Sequence, residues 1–153
     1  MRNLTITRRK NFIGCLAKTR IYMCDPNGTE NIKGKTCTKM GDVINDGILT
    51  FDIPTDETRI YATTGVFGKK FYNELYVIPE GEEDVNLKGG YFFDAFAGAT
   101  FRFINNTNKE ALLNRVENKK KARPIQIIGA LVGLAIGVVV GYYLGQYVSY
   151  MMF

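Results

Sequence analysis

Hydrophobic and polar positions alternate with a period of two over much of residues 11–104, and beyond residue 124 the polar positions almost vanish. In residues 11–24, Ile13, Cys15, Ala17, Thr19, Ile21 and Met23 share one face, while Lys18, Arg20 and Tyr22 share the other, which predicts a strand. Asp25-Pro26-Asn27-Gly28 predicts a turn. A short strand follows over Lys35–Met40, between Gly34 and Gly41. Asn45-Asp46-Gly47 turns into Ile48–Ile53, where Leu49, Phe51 and Ile53 alternate with Thr50 and Asp52 until Pro54 ends the run. Thr58–Val66 and Phe71–Ile78 read as further strands joined by a Gly65–Lys70 turn. Pro79-Glu80-Gly81 opens an acidic loop, and Tyr91–Ile104 is a last β-rich stretch broken at Asp94 and Gly98. Short strands punctuated by turn residues, without helical period, predict an antiparallel β-sandwich over residues 1–105.

The period changes at residues 106–123. Thr107 and Glu110 satisfy a capping box, and Ala111, Leu112, Leu113 and Val116 form a narrow apolar stripe, predicting a short amphipathic connector helix. This helix either lies along an anionic membrane surface or forms a solvated stalk. Residues 124–153 differ again. No side chain from Ile125 to Val148 is charged, and Pro124 suits a first helical turn. As a helix this run is about 36 Å long, against a hydrocarbon core of roughly 30 Å. Lys119, Lys120, Lys121 and Arg123 flank it on one side, and Tyr142, Tyr143, Tyr147, Tyr150 and Phe153 on the other, as interfacial anchors do. A helix at the surface of a soluble core would keep a polar face. This one keeps none, so a single transmembrane helix is predicted.

Within that helix Gly129, Gly133, Gly137, Gly141 and Gly145 recur at every fourth position. Glycine costs a helix interior about 1 kcal/mol relative to alanine, so five in register need a cause. Residues four apart make a ridge, and a ridge without side chains is a groove into which a second backbone fits. The stretch GALVGLAIGVVVGYYLG resembles the glycine zippers of self-associating membrane segments, a resemblance that implies helix packing and no chemistry. The plainer reading is a lone anchor whose glycines lend flexibility. Four residues advance about 400°, so the glycine line drifts by about 40° per step around a straight helix. It therefore suits a right-handed crossing, or neighbours on both sides in a ring.

Charge sharpens this division. The chain carries a net +5, yet residues 1–105 hold 14 Lys/Arg against 13 Asp/Glu, while residues 106–123 hold six against two. The basic excess is a juxtamembrane patch, which removes the main support for nucleic-acid binding by the β-domain. Residues 1–10 are polar and basic and are followed by no h-region, so no secretory signal is expected. With the basic cluster before the span, the positive-inside rule predicts a tail-anchored, single-pass protein whose N-terminal domain is cytoplasmic. The three cysteines, Cys15, Cys24 and Cys37, fit a reducing compartment and match no zinc spacing, and the chain has no histidine. Cys15 is expected in the core and Cys24 at the surface beside a turn.

The order of strands is similar to that of the small immunoglobulin-like modules of the PEGA type. Thr19–Met23, then Gly41-Asp42-Val43-Ile44-Asn45-Asp46-Gly47, then Phe51-Asp52-Ile53-Pro54 supply the matching pieces. The resemblance implies an immunoglobulin-like binding or structural module without catalysis. Candidate chemistry is sparse. Without histidine the commonest general base is missing, and no phosphate-binding glycine loop occurs. Glu80, Glu82, Glu83 and Asp84 lack the ligand spacing of a calcium loop and read as a solvated acidic segment. No cofactor and no metal are expected. The sequence thus predicts a non-enzymatic scaffold or adaptor: lipid holds its helix, the glycine face makes a homo-oligomer, and the β-sandwich meets an unidentified protein partner. The alternative is an oligomer that perturbs or perforates the bilayer under control of the soluble domain.

Overall fold

The computed structural model describes residues 1–12, 14–64, 72–94, 98–104 and 106–152. Among them nine strands precede one long helix: β1 (Arg2–Arg8), β2 (Thr19–Cys24), β3 (Glu30–Ile32), β4 (Lys35–Val43), β5 (Ile48–Ile53), β6 (Thr58–Thr64), β7 (Asn73–Ile78), β8 (Val85–Asp94), β9 (Gly98–Phe103) and α1 (Lys109–Met152). The strands form two sheets, ordered β5-β1-β8-β9 and β3-β4-β2-β6-β7. Leu4, Ile6, Ile53, Leu87, Phe101 and Phe103 of the first sheet and Ile21, Val43, Ile60, Ala62 and Ile78 of the second fill one shared core. The chain is mainly β, and among the described residues its pairing is antiparallel with one exception. β1 lies parallel to β8, with Leu4 opposite Val85 and Arg8 opposite Gly89.

β1 carries the largest departure from the sequence pattern, which predicts no strand over residues 1–10. Arg2, Leu4, Ile6 and Arg8 are all buried, so the period of two is present but its ends are charged. Arg8 is fully buried because its guanidinium donates to the carbonyls of Ala17 and Gly14, and to that of Val43 at 3.2 Å, while its cation sits 4.6 Å from the centre of the Tyr91 ring. These bonds pin the described residues between β1 and β2 as a loop, and the strand expected over 11–24 shortens to Thr19–Cys24; Ile13, expected on its inner face, lies outside the described residues. Inside the loop Cys15 and Ala17 donate to Phe12 and Gly14, and Gly14 has φ +72°. A Cβ at Gly14 would lie 2.7 Å from Tyr91, so glycine is required there twice over.

The remaining differences are local. β4 runs on through Gly41, past a bulge at Met40, because the register with β2 steps between Ile21 and Tyr22. β8 starts at Val85 inside the stretch expected to be loop. Its Gly89 is compulsory, since an added Cβ would meet the Phe101 ring at 2.1 Å. The turn expected over Gly65–Lys70 lies outside the described residues, as do Val66 and Phe71 at the ends of the two strands expected around it.

Candidate functional site at the seat of the long helix

β7 is an edge strand, so every second residue turns its backbone groups away from β6. Side-chain amides occupy that edge. Asn114 and Asn118, one turn apart on α1, both donate to the carbonyl of Asn73 at 2.6 Å, and Asn106 donates to that of Leu75 at 2.6 Å. Beside them Arg115 pairs with Glu74, whose side chain is wholly buried; Nε lies 3.0 Å from each carboxylate oxygen, and Nη2 also reaches Oε1. Ala111, Asn114 and Asn118 are the buried positions of these first turns, while Leu112, Leu113 and Val116 remain exposed. Of the apolar stripe expected to organise this helix only Ala111 faces inward, and a largely polar face seats it.

The start of α1 also differs from the capping box. Asn108 is the N-cap, accepting from the Glu110 and Ala111 amides at 2.8 and 3.4 Å. Glu110 instead reaches across to Arg59, at 3.2 Å from Nη2, and to Lys35 at 3.6 Å. The hydrogen bond from Arg59 holds the Glu110 carboxyl below its usual range. Lys121 and Lys33 hold Glu117 down to about 2, and Lys33 also donates to Asn114 at 2.6 Å. Between these contacts and the outer face of the second sheet lies an open groove of about 390 Å³, floored by Tyr61 and Leu75 and rimmed by Lys33, Lys35, Glu110 and Leu113. Each of its lysines faces a helix carboxylate, so the groove is charge-compensated. Among the described residues no group of three Cys, Asp or Glu side chains converges as a metal site.

The cysteines are rearranged relative to their expected places. Cys15 is exposed in the 9–18 loop, and Cys37 is buried on β4. Cys24 is half-buried directly opposite Cys37, with the two sulfurs 3.7 Å apart. Spacing in sequence gave no sign of this pair, because strand register creates it. Burial, then the neighbouring Cys24, push the Cys37 thiol up to about 12, and burial raises Cys24 as well. At neutral pH a maleimide should therefore label Cys15 first. A mild thiol oxidant should then join Cys24 to Cys37, read by mass as the loss of two hydrogens, and the closed loop should add about 3 kcal/mol to stability. Equal labelling of all three thiols would contradict the burial.

The expected membrane segment is continuous with the seated turns. α1 passes Pro124 without interruption, and Ala130–Tyr147 is long and apolar enough to cross a membrane, with none of it buried. Gly129 lies in this helix, and at Gly133, Gly137, Gly141 and Gly145 an added Cβ would meet nothing within 4 Å. Among the described residues no contact calls for these last four glycines. Of the basic cluster, Lys120, Lys121 and Arg123 are exposed and Lys119 is half-buried, directly after the last residue seated on β7. The acidic run Glu80–Asp84 lies at the opposite end of the sheets, where Asp84 accepts from the Asn3 amide at 2.8 Å and Gly81 donates to Thr55. No known protein-family model matches this chain, and no curated protein matches it in sequence.

Proposed function

We propose that this chain is a non-enzymatic membrane protein whose helix self-associates through Gly129, Gly133, Gly137, Gly141 and Gly145 and displays the β-domain, in several copies, to a protein partner. One observation carries this reading: a helix apolar on every side holds glycines in register, and open space lies beyond the four that are described. Lipid alone gives no reason for a bare backbone ridge, whereas close packing of a second helix does. The basic residues Lys119, Lys120, Lys121 and Arg123 before the span support a cytoplasmic β-domain and contact with anionic lipid. The rigid seat on β7 adds a mechanical consequence, because a helix fixed to the domain transmits its packing angle to the displayed surface. We read the domain itself as an immunoglobulin-like module, on its short strands and two sheets around one core.

Labelled copies of the full chain reconstituted into vesicles test the association. Energy transfer is expected for the wild type and should fall at least about tenfold in apparent affinity for Gly137→Leu, which fills the groove at its centre. Unchanged transfer in that variant would rule out the glycine face. The helix carries no polar stripe to line an aqueous pore, so the same vesicles should retain an encapsulated dye.

A further inference from the structure

We infer that the β-domain makes a second contact with the bilayer, through the end from which α1 leaves it. The inference rests on α1 spanning a membrane. Its direction follows from register. Glu110 binds Arg59, which lies opposite Val77, and Asn118 binds Asn73, so α1 runs against β7 and departs where β7 begins. The same end holds the start of β2 and the ends of β4 and β6, since Thr19 is opposite both Val43 and Thr64. Arg8 ties the 9–18 loop to it through Ala17, Gly14 and Val43. Asn11 adds the neighbouring segments: its amide donates to Asn45 at 3.0 Å, and its side chain donates to the Tyr91 carbonyl at 2.8 Å.

Apart from Met1 at the opposite end, the large exposed apolar side chains of the β-domain, among the described residues, gather on these tied segments. Phe12 is 91% exposed and Leu16 96% in the loop, Ile44 and Ile48 flank the turn, and Phe92 and Phe93 follow Tyr91 on β8. Water alone is a poor partner for two nearly bare aromatic and aliphatic side chains on a loop pinned by a buried arginine. Charge agrees. Arg9, Lys10 and Lys18 share the loop with Phe12 and Leu16 and stand at the same end as the Lys119–Arg123 stretch, against Asp46. The opposite end carries Asp56, Glu80, Glu82, Glu83 and Asp84. Aromatic and aliphatic tips among cations, beside a membrane helix, fit the interface of an anionic leaflet.

The chain has no tryptophan, so single substitutions report position without background. Phe93→Trp, Leu131→Trp and Glu82→Trp, each in the full chain, are reconstituted into vesicles of zwitterionic and anionic lipid with and without brominated acyl chains. The expected result is quenching of Leu131→Trp, quenching with a blue shift for Phe93→Trp, and neither for Glu82→Trp. Phe12→Trp, on a separate exposed site, should follow Phe93→Trp and covers the case where one variant folds poorly. If Leu131→Trp is quenched while Phe93→Trp and Phe12→Trp emit like Glu82→Trp, the second contact is overturned and the patch belongs to a protein partner. If Leu131→Trp is unquenched too, the membrane span itself falls, and this contact with it.

Discussion

Replacing Arg115 by Leu should lower the unfolding free energy of the full chain by about 3–5 kcal/mol, among the largest effects of any single substitution in it. The cause is Glu74. Its side chain is wholly buried, and it faces Arg115 through both carboxylate oxygens, with Asn106 as a further donor at 3.3 Å. Removing the cation leaves a carboxylate without compensation in a site closed to water. The first turns of α1 can also lift from β7 to let water in, which caps the cost at the value of the seat itself. For a chain of this size the change corresponds to a fall of about 10 °C in the unfolding midpoint, measured in detergent. The double variant Arg115→Leu, Glu74→Leu should recover most of the loss, because an apolar pair in place of a buried ion pair is often neutral. A single variant that unfolds with the wild type would show that the pair does not seat the helix.

Cutting the chain after residue 105 should be more damaging than cutting it after residue 123. The shorter fragment loses Asn106, Asn114, Asn118 and Arg115 together, so β7 becomes an open edge and the outer-face side chains Tyr61 and Leu75 meet water. Three amide bonds to the edge, the ion pair and the burial of Ala111 sum to the order of 5 kcal/mol, a large share of the stability of a small domain. An uncovered edge strand also templates pairing between molecules. The fragment 1–105 is therefore expected to aggregate or to exchange its β7 amides freely, whereas 1–123 should be a folded monomer with those amides protected. Equal protection in the two fragments would make α1 an appendage of the β-domain and nothing more.

The contrast between those fragments also shows what the sequence could disclose. The long apolar helix was legible because nothing compensates for the absence of charge between Ile125 and Val148, and β5, β6 and much of β7 were legible because period and turn residues coincide there. β1 was hidden because Arg2 and Arg8 occupy inward positions, and only the tertiary carbonyls that receive Arg8 make that burial possible. β8 was obscured by Gly89, a residue that marks a break in a strand until the Phe101 ring beneath it is seen. The seat of α1 is hidden in the sequence for a related reason. Leu112, Leu113 and Val116 mark an exposed face, while the face that docks carries Ala111, asparagines whose partner is a β7 carbonyl, and an arginine whose partner is the buried Glu74 carboxylate. Asn114 and Asn118 at a spacing of four, with Arg115 between them, were the available signal. The Cys24–Cys37 pair had no signal at all, because a bulge near Met40 sets the register that joins them.

The most direct test of the account is the mass of the assembled protein in detergent and in lipid nanodiscs, compared with that of the 1–123 fragment. The full chain is expected to assemble at two or more times 17.2 kDa, while the fragment, which keeps the helix seat but lacks the glycine face, is a monomer. A full chain that is monomeric in both settings, or a fragment that assembles equally well without residues 124–153, would contradict it.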